Sequence, residues 1–171
     1  MSLHQLPVAL GVFGLISAFV IYRIVLSSSP GEGRVREIAN EIHIGAMTFM
    51  RREYSILFVF AAIVTLAIYF SDLGAPTAGA FVLGAICSAG AGYIGMHAAT
   101  QANVRTTVAA NTKGLDSALD IAFLGGSIMG LTVAAMGLLG LGVLYLLYGA
   151  DPETAHVIHG FGMGASTVAL F

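Results

Sequence analysis

Polar and apolar positions alternate along this chain by whole segments rather than by single residues. Residues 6–26 form an apolar run broken only by Arg23, and charge-free stretches cover about 54–70, 78–99 and 121–148. A bilayer-spanning helix needs roughly 20 mostly apolar residues, so each run predicts a transmembrane helix. A fifth run begins near Val157 and is still apolar at Phe171, which reads as a span cut short, in a fragment ending inside a helix. Between the first two runs, Ser27-Ser28-Ser29-Pro30-Gly31 breaks the helix and Gly33 ends the break. After it Val35, Ile38, Ala39, Ile42, Ala46, Phe49 and Met50 recur at helical spacing. Arg36, Glu37, Asn40, Glu41, His43, Arg51 and Arg52 take the other faces. This predicts an amphipathic cytoplasmic helix running into the second span, a solvated extension in preference to a lipid-binding or docking element. The expected fold is an all-α membrane protein, with four complete transmembrane helices and the start of a fifth (157–171), so that 1–171 is a partial polytopic domain.

Composition narrows the functional classes. Of 171 residues, 57% are hydrophobic and 9% charged, against roughly a quarter charged in a soluble domain, and the mean hydropathy is +0.90. Seven Lys/Arg against nine Asp/Glu leave a net charge of −2, which excludes the basic footprint of a nucleic-acid binder. Cys87 is the single cysteine, which excludes a disulfide scaffold. The first five residues contain no Lys or Arg and no A-x-A-like cleavage site follows, so the first run is an uncleaved span and not a signal peptide. All the basic residues, from Arg23 to Arg52 and then Arg105 and Lys113, fall between spans one and two or between three and four. The positive-inside rule makes those loops cytoplasmic and puts the N-terminus outside.

Few residues suggest chemistry. Asp116 and Asp120, at i and i+4, share a helix face where two carboxylates can bind a hard cation, but acidic groups also favour a helix N-terminus, and that structural role is the expectation. His156 and His159, with Glu153 near them, lack the Cys or carboxylate cluster that would complete a metal shell. Gly160-Phe-Gly-Met-Gly-Ala-Ser166 lacks the Gly-Lys-Ser/Thr ending of a phosphate loop. It reads instead as a smooth helix face open to another backbone, as do Gly84, Ser88 and Gly92, and Gly126 with Gly130. Cys87 is expected to act as a small apolar residue. Asn103, Arg105 and Asn111 are expected to be polar because the helix has left the membrane there. No ionisable residue falls in the middle of a span, the default mark of an ion pathway.

The word order of the sequence carries more. Gly92-Tyr-Ile-Gly-Met-His-Ala-Ala-Thr-Gln-Ala-Asn103-Val-Arg105-Thr-Thr-Val-Ala-Ala110 resembles the third-span signature of the membrane-bound, ion-translocating inorganic pyrophosphatases. Ile42–Tyr54, Gly114–Gly130 and Gly160–Phe171 resemble that family's approach to span two, start of span four and fifth span, in the right order. The resemblance implies about sixteen spans in a homodimer with both termini outside. It implies hydrolysis of magnesium pyrophosphate, coupled to export of H⁺ or Na⁺ across a prokaryotic cell membrane, with a potassium requirement left open. It also implies that the family's catalytic, substrate and metal residues lie beyond Ala169-Leu170-Phe171, so that no catalytic, substrate-binding or metal residue is assigned and this segment alone is inactive. His97 and Gln101 depart from the family signature and are assigned no role. The competing readings are a small, complete multi-span packing or transport subunit without enzymatic activity and, remotely, a metal sensor built on His156 and His159.

Overall fold

The computed structural model describes residues 3–149 and 154–169. Among them every regular element is helical, in agreement with the expected class: α1 (Leu6–Ser27), α2 (Gly33–Tyr69), α3 (Gly74–Thr112), α4 (Leu115–Tyr148) and α5 (Ile158–Ala169), with short 3₁₀ turns at Leu3–Gln5 and Ala155–Val157. The first four are long and apolar enough to cross a membrane. Of the fifth run, Ile158–Ala169 is helical, Val157 lies in the preceding turn, and residues 170–171 are outside the described set.

The breaks follow local chemistry. The Ser28–Glu32 connection separates α1 from α2, and Gly31 and Gly33 both take positive φ there. Gly114, at φ 94°, adopts a conformation closed to other residues. Its N–H and that of Lys113 both return to the Ala109 carbonyl, at 3.1 and 2.8 Å, which closes the end of α3 and releases the chain into α4. By contrast nothing interrupts α2, so the amphipathic segment and the second span are one helix of 37 residues. At 1.5 Å per residue, α2 and α3 are each roughly 55–60 Å long against a hydrocarbon core of about 30 Å. Both overshoot at the end rich in basic residues.

α3 is the spine. It packs antiparallel to α4 and carries α2 and α5, while α1 lies along α4. Val25, Ala98, Ala102, Ala118, Ile121 and Ile128 form one core at the basic end, and Ala80, Leu144, Val157 and Phe161 form another at the opposite end. Phe13, Phe58 and Phe123 stand 68%, 75% and 79% exposed on α1, α2 and α4, faces suited to lipid or protein and not to water.

The small-residue faces sort into two groups. A Cβ at Gly84 would run into the Phe161 carbonyl, and one at Gly164 into that of Phe81. Gly160 meets the Thr77 carbonyl, which makes α3 and α5 parallel and in backbone contact. Gly92 fits against the Tyr54 hydroxyl. Gly126 and Gly130, expected to admit a neighbouring backbone, have nothing within 4 Å of a built Cβ. Their helix turns Gly125 toward Ala102 instead, so the close-approach face of α4 is displaced by one residue from the one expected.

Candidate functional site

The polar side chains that leave the spans converge at the basic end of α1, α2 and α3. On α3, His97, Thr100, Gln101 and Arg105 are spaced three or four apart and share one face. The Thr100 hydroxyl donates to the His97 carbonyl at 2.9 Å and lies 2.7 Å from Nδ1 of His43 on α2. That contact links α2 to α3, with the donor set by the His43 tautomer. The His43 and His97 rings meet edge to face, centroids 5.0 Å apart, and the Tyr22 hydroxyl of α1 lies 3.4 Å from Nδ1 of His97.

Arg105 closes the arrangement. It is only 7% exposed. Its Nε donates to the Ser28 carbonyl at 3.1 Å, and Nη1 donates to the Gln101 carbonyl at 2.8 Å and to Gln101 Oε1 at 3.0 Å. The guanidinium therefore sits at the C-terminus of α1, where a cation complements the helix dipole, and ties the α1–α2 connection to α3. Arg105, expected to be polar because its helix leaves the membrane there, is in addition buried against its neighbours and structural. Asn103 and Asn111, by contrast, are exposed. Arg36, Asn40 and His43 of α2 face Thr100, Gln101 and Arg105 across a cavity of about 240 Å³, with Pro30 in its wall.

The polar face of α2, joined by Ala39 from its apolar stripe, is what meets α3 here. Val35, Ile38, Ile42 and Phe49 are exposed, and of the expected stripe Met50 is buried while Ala39 and Ala46 are half-buried. A regular apolar period predicts a helix but not the face its neighbour takes.

The other candidates stay apart. Asp116 and Asp120 are both exposed at the start of α4, with Asp116 in its first turn. His156 and His159 are exposed, and Glu153 lies outside the described residues. Cys87 packs against Ala80, Leu144 and Phe161 as a small apolar side chain. Among the described residues no three His, Cys, Asp or Glu side chains come together, so they do not fit a magnesium–pyrophosphate site, which needs clustered oxygen ligands. What the basic-end cluster offers is one buried positive charge and a set of hydrogen-bonding groups, a chemistry of positioning and binding. Sequence reasoning left out His97 and Gln101, although their three- and four-residue spacing to Thr100 and Arg105 marks a one-sided polar stripe.

Comparison with known proteins gives this architecture its setting. A provisionally named K(+)-stimulated pyrophosphate-energized sodium pump of Clostridium tetani is 47% identical over 164 residues, covering 94% of this chain and 23% of its own length. A K(+)-insensitive pyrophosphate-energized proton pump of Methanosarcina mazei is 43% identical over 162 residues, with the same coverage. A K(+)-stimulated pyrophosphate-energized sodium pump of Thermotoga maritima is 34% identical over 169 residues, 88% of this chain and 23% of the relative. The chain thus spans about a quarter of the length of the relatives it matches. The family profile for inorganic H⁺ pyrophosphatase matches residues 12–171, nearly the whole multi-pass membrane chain, which therefore belongs to the inorganic H⁺ pyrophosphatase family.

Proposed function

We propose that this chain is the N-terminal, outer-layer segment of a pump that hydrolyses inorganic diphosphate to phosphate and couples the reaction to export of H⁺ or Na⁺. The observation that carries the proposal is the family match along residues 12–171, with relatives named as pyrophosphate-energized pumps at 43–47% identity. Those two relatives differ in pumped ion and in potassium response, yet this segment resembles both, so the determinants of ion choice are assigned to other parts of the pump. The catalytic carboxylates, the magnesium ligands and the pyrophosphate-binding groups are assigned there too. The segment's own contribution is mechanical. Its helices hold a membrane frame against which transport of each charge, work of roughly 2.3 kcal/mol per 100 mV, can be done without the frame yielding. In the working protein we assign a homodimer in a prokaryotic cell membrane, with the N-terminus outside and the Arg105 end cytoplasmic, as the distribution of basic residues supports.

Replacing the matching segment of the Methanosarcina mazei pump with this chain tests the proposal. The chimera is expected to insert and to hydrolyse pyrophosphate within about tenfold of its parent. A folded, inserted chimera with no hydrolysis above the vesicle background contradicts it and favours an independent packing or transport subunit.

A further inference from the structure

We propose that the groove between the membrane-crossing parts of α2 and α3 holds one anionic phospholipid, its phosphate at Arg51 and an acyl chain along the second span. Two adjoining cavities make up the groove. The first, of about 680 Å³, is walled by Met47, Met50, Arg51 and Ser55 of α2 with Tyr93 of α3. The second, of about 580 Å³, continues deeper between Leu57, Ala62 and Leu66 of α2 and Val82, Ile86 and Ala89 of α3. Tyr54 and Phe58 stand in the walls of both, so the two form one passage. Each volume lies in the range of roughly 300–1,000 Å³ common to small-molecule sites.

Depth places headgroup and chain separately. Arg51 precedes by three residues the charge-free stretch that opens at Tyr54, roughly 4.5 Å along the helix. The headgroup layer extends roughly 5–8 Å beyond the hydrocarbon, so Arg51 falls within it. From Tyr54 to Leu66 the groove runs roughly 18 Å, against roughly 15 Å for the hydrocarbon of one leaflet. Along that length the polar groups are spent inside the protein. The Tyr54 hydroxyl donates to the Ala89 carbonyl at 2.6 Å, and that of Thr65 to the Ala61 carbonyl at 2.7 Å. The deep part therefore offers a polar ligand nothing, whereas the mouth does. Arg51 is exposed there and makes no ion pair among the described residues. No Asp or Glu lines either cavity, Glu53 included. Arginine pairs with phosphate oxygens bidentately, and the exposed ring of Tyr93 is of the kind that settles at the headgroup boundary. A passage cationic at headgroup depth and apolar for the length of a leaflet matches one molecule of that polarity.

Photo-crosslinking in vesicles of equimolar phosphatidylglycerol and phosphatidylcholine tests it, with a diazirine on the acyl chain of one lipid or the other. Both this chain and the Methanosarcina mazei chimera are reconstituted. In both, crosslinks are expected to concentrate at Leu66 and Ile86 relative to the other spans, roughly fivefold more from the phosphatidylglycerol probe. Arg51→Gln is expected to abolish that preference. Arg51 is exposed, so its variant reports on binding without disturbing the fold, and Arg34→Gln, far from the groove in the first turn of α2, leaves the preference unchanged. Ala62→Phe, which fills the deep part, should remove the groove crosslinks and spare those elsewhere. Crosslinks in the isolated chain that vanish in the chimera would mean that another helix of the pump covers the groove, and would overturn the proposal. So would labelling no denser in the groove than along the other spans, or equal labelling by the two probes. The inference stands apart from the pump assignment, because labelling requires no hydrolysis: an inserted but inactive chimera labelled in this way contradicts that assignment alone.

Discussion

α3 is held at its two ends by opposite means. Toward its N-terminus, Thr77, Phe81 and Gly84 meet Gly160, Phe161 and Gly164 of α5 with backbone against backbone. Toward its C-terminus, His97, Thr100 and Arg105 reach across to α1 and α2 through side-chain hydrogen bonds, with Gln101 of the same helix bracing Arg105. The difference follows from the surrounding medium. Between two helices in hydrocarbon there is no water to expel, so association comes from close contact and dispersion, and glycine gives the closest contact. Near the aqueous edge, long polar side chains can span a gap that apolar ones leave open. One helix thus carries a seam intolerant of added volume and a cluster intolerant of lost polarity.

Substitutions at the two ends should fail in different ways. Cys87, the sole cysteine, lies half-buried between them, and its thermal onset of thiol labelling in detergent reads unfolding of α3. The largest effect is expected at the seam. Gly84→Val drives a side chain into the Phe161 backbone, which cannot rotate away as a side chain can, and should cost more than about 3 kcal/mol, beyond ordinary overpacking. Labelling at low temperature is the expected outcome, and an unchanged onset would dissolve the contrast between the two ends. Next comes Arg105→Met, which keeps bulk but leaves Ser28 and Gln101 without their donor and should cost about 1–3 kcal/mol. Smaller again is Tyr54→Phe, which removes a hydroxyl donating to the Ala89 carbonyl at 2.6 Å; interhelical bonds in membranes average about 0.6 kcal/mol. The smallest effect, with the opposite sign, is expected of Gly126→Ala, since a Cβ there meets nothing and alanine is the better helix former by up to about 1 kcal/mol. Destabilisation by Gly126→Ala would mean that the open face of α4 is occupied.

These two ends also divide what the sequence makes legible. The helices are readable because charge-free runs and the Pro30–Gly33 break act locally. The seam is half readable: Gly84, Gly160 and Gly164 stand in contact, but Gly126 and Gly130, with the same four-residue spacing, face outward. In a membrane the lipid-facing and partner-facing sides of a helix are equally apolar, so hydropathy cannot choose between them. The polar cluster is hidden for another reason. Its links join residues 57 to 77 positions apart, His43 to Thr100 and Ser28 to Arg105, a distance over which no periodicity carries information. The stripe His97, Gln101, Arg105 announces one polar face, but its partner on α2 becomes visible only once the helices are laid side by side.

The central claim is that this segment supports a pump whose chemistry is performed elsewhere. It is tested most directly by pyrophosphate hydrolysis in the Methanosarcina mazei chimera carrying both Asp116→Asn and Asp120→Asn, the carboxylate pair in this chain that most resembles a cation site. Hydrolysis within about twofold of the unmodified chimera is predicted, since removing a group outside the transition state leaves the barrier unchanged. Loss of hydrolysis in a chimera that still inserts, and whose Cys87 labelling onset is unmoved, would place catalytic carboxylates inside this segment and contradict the account.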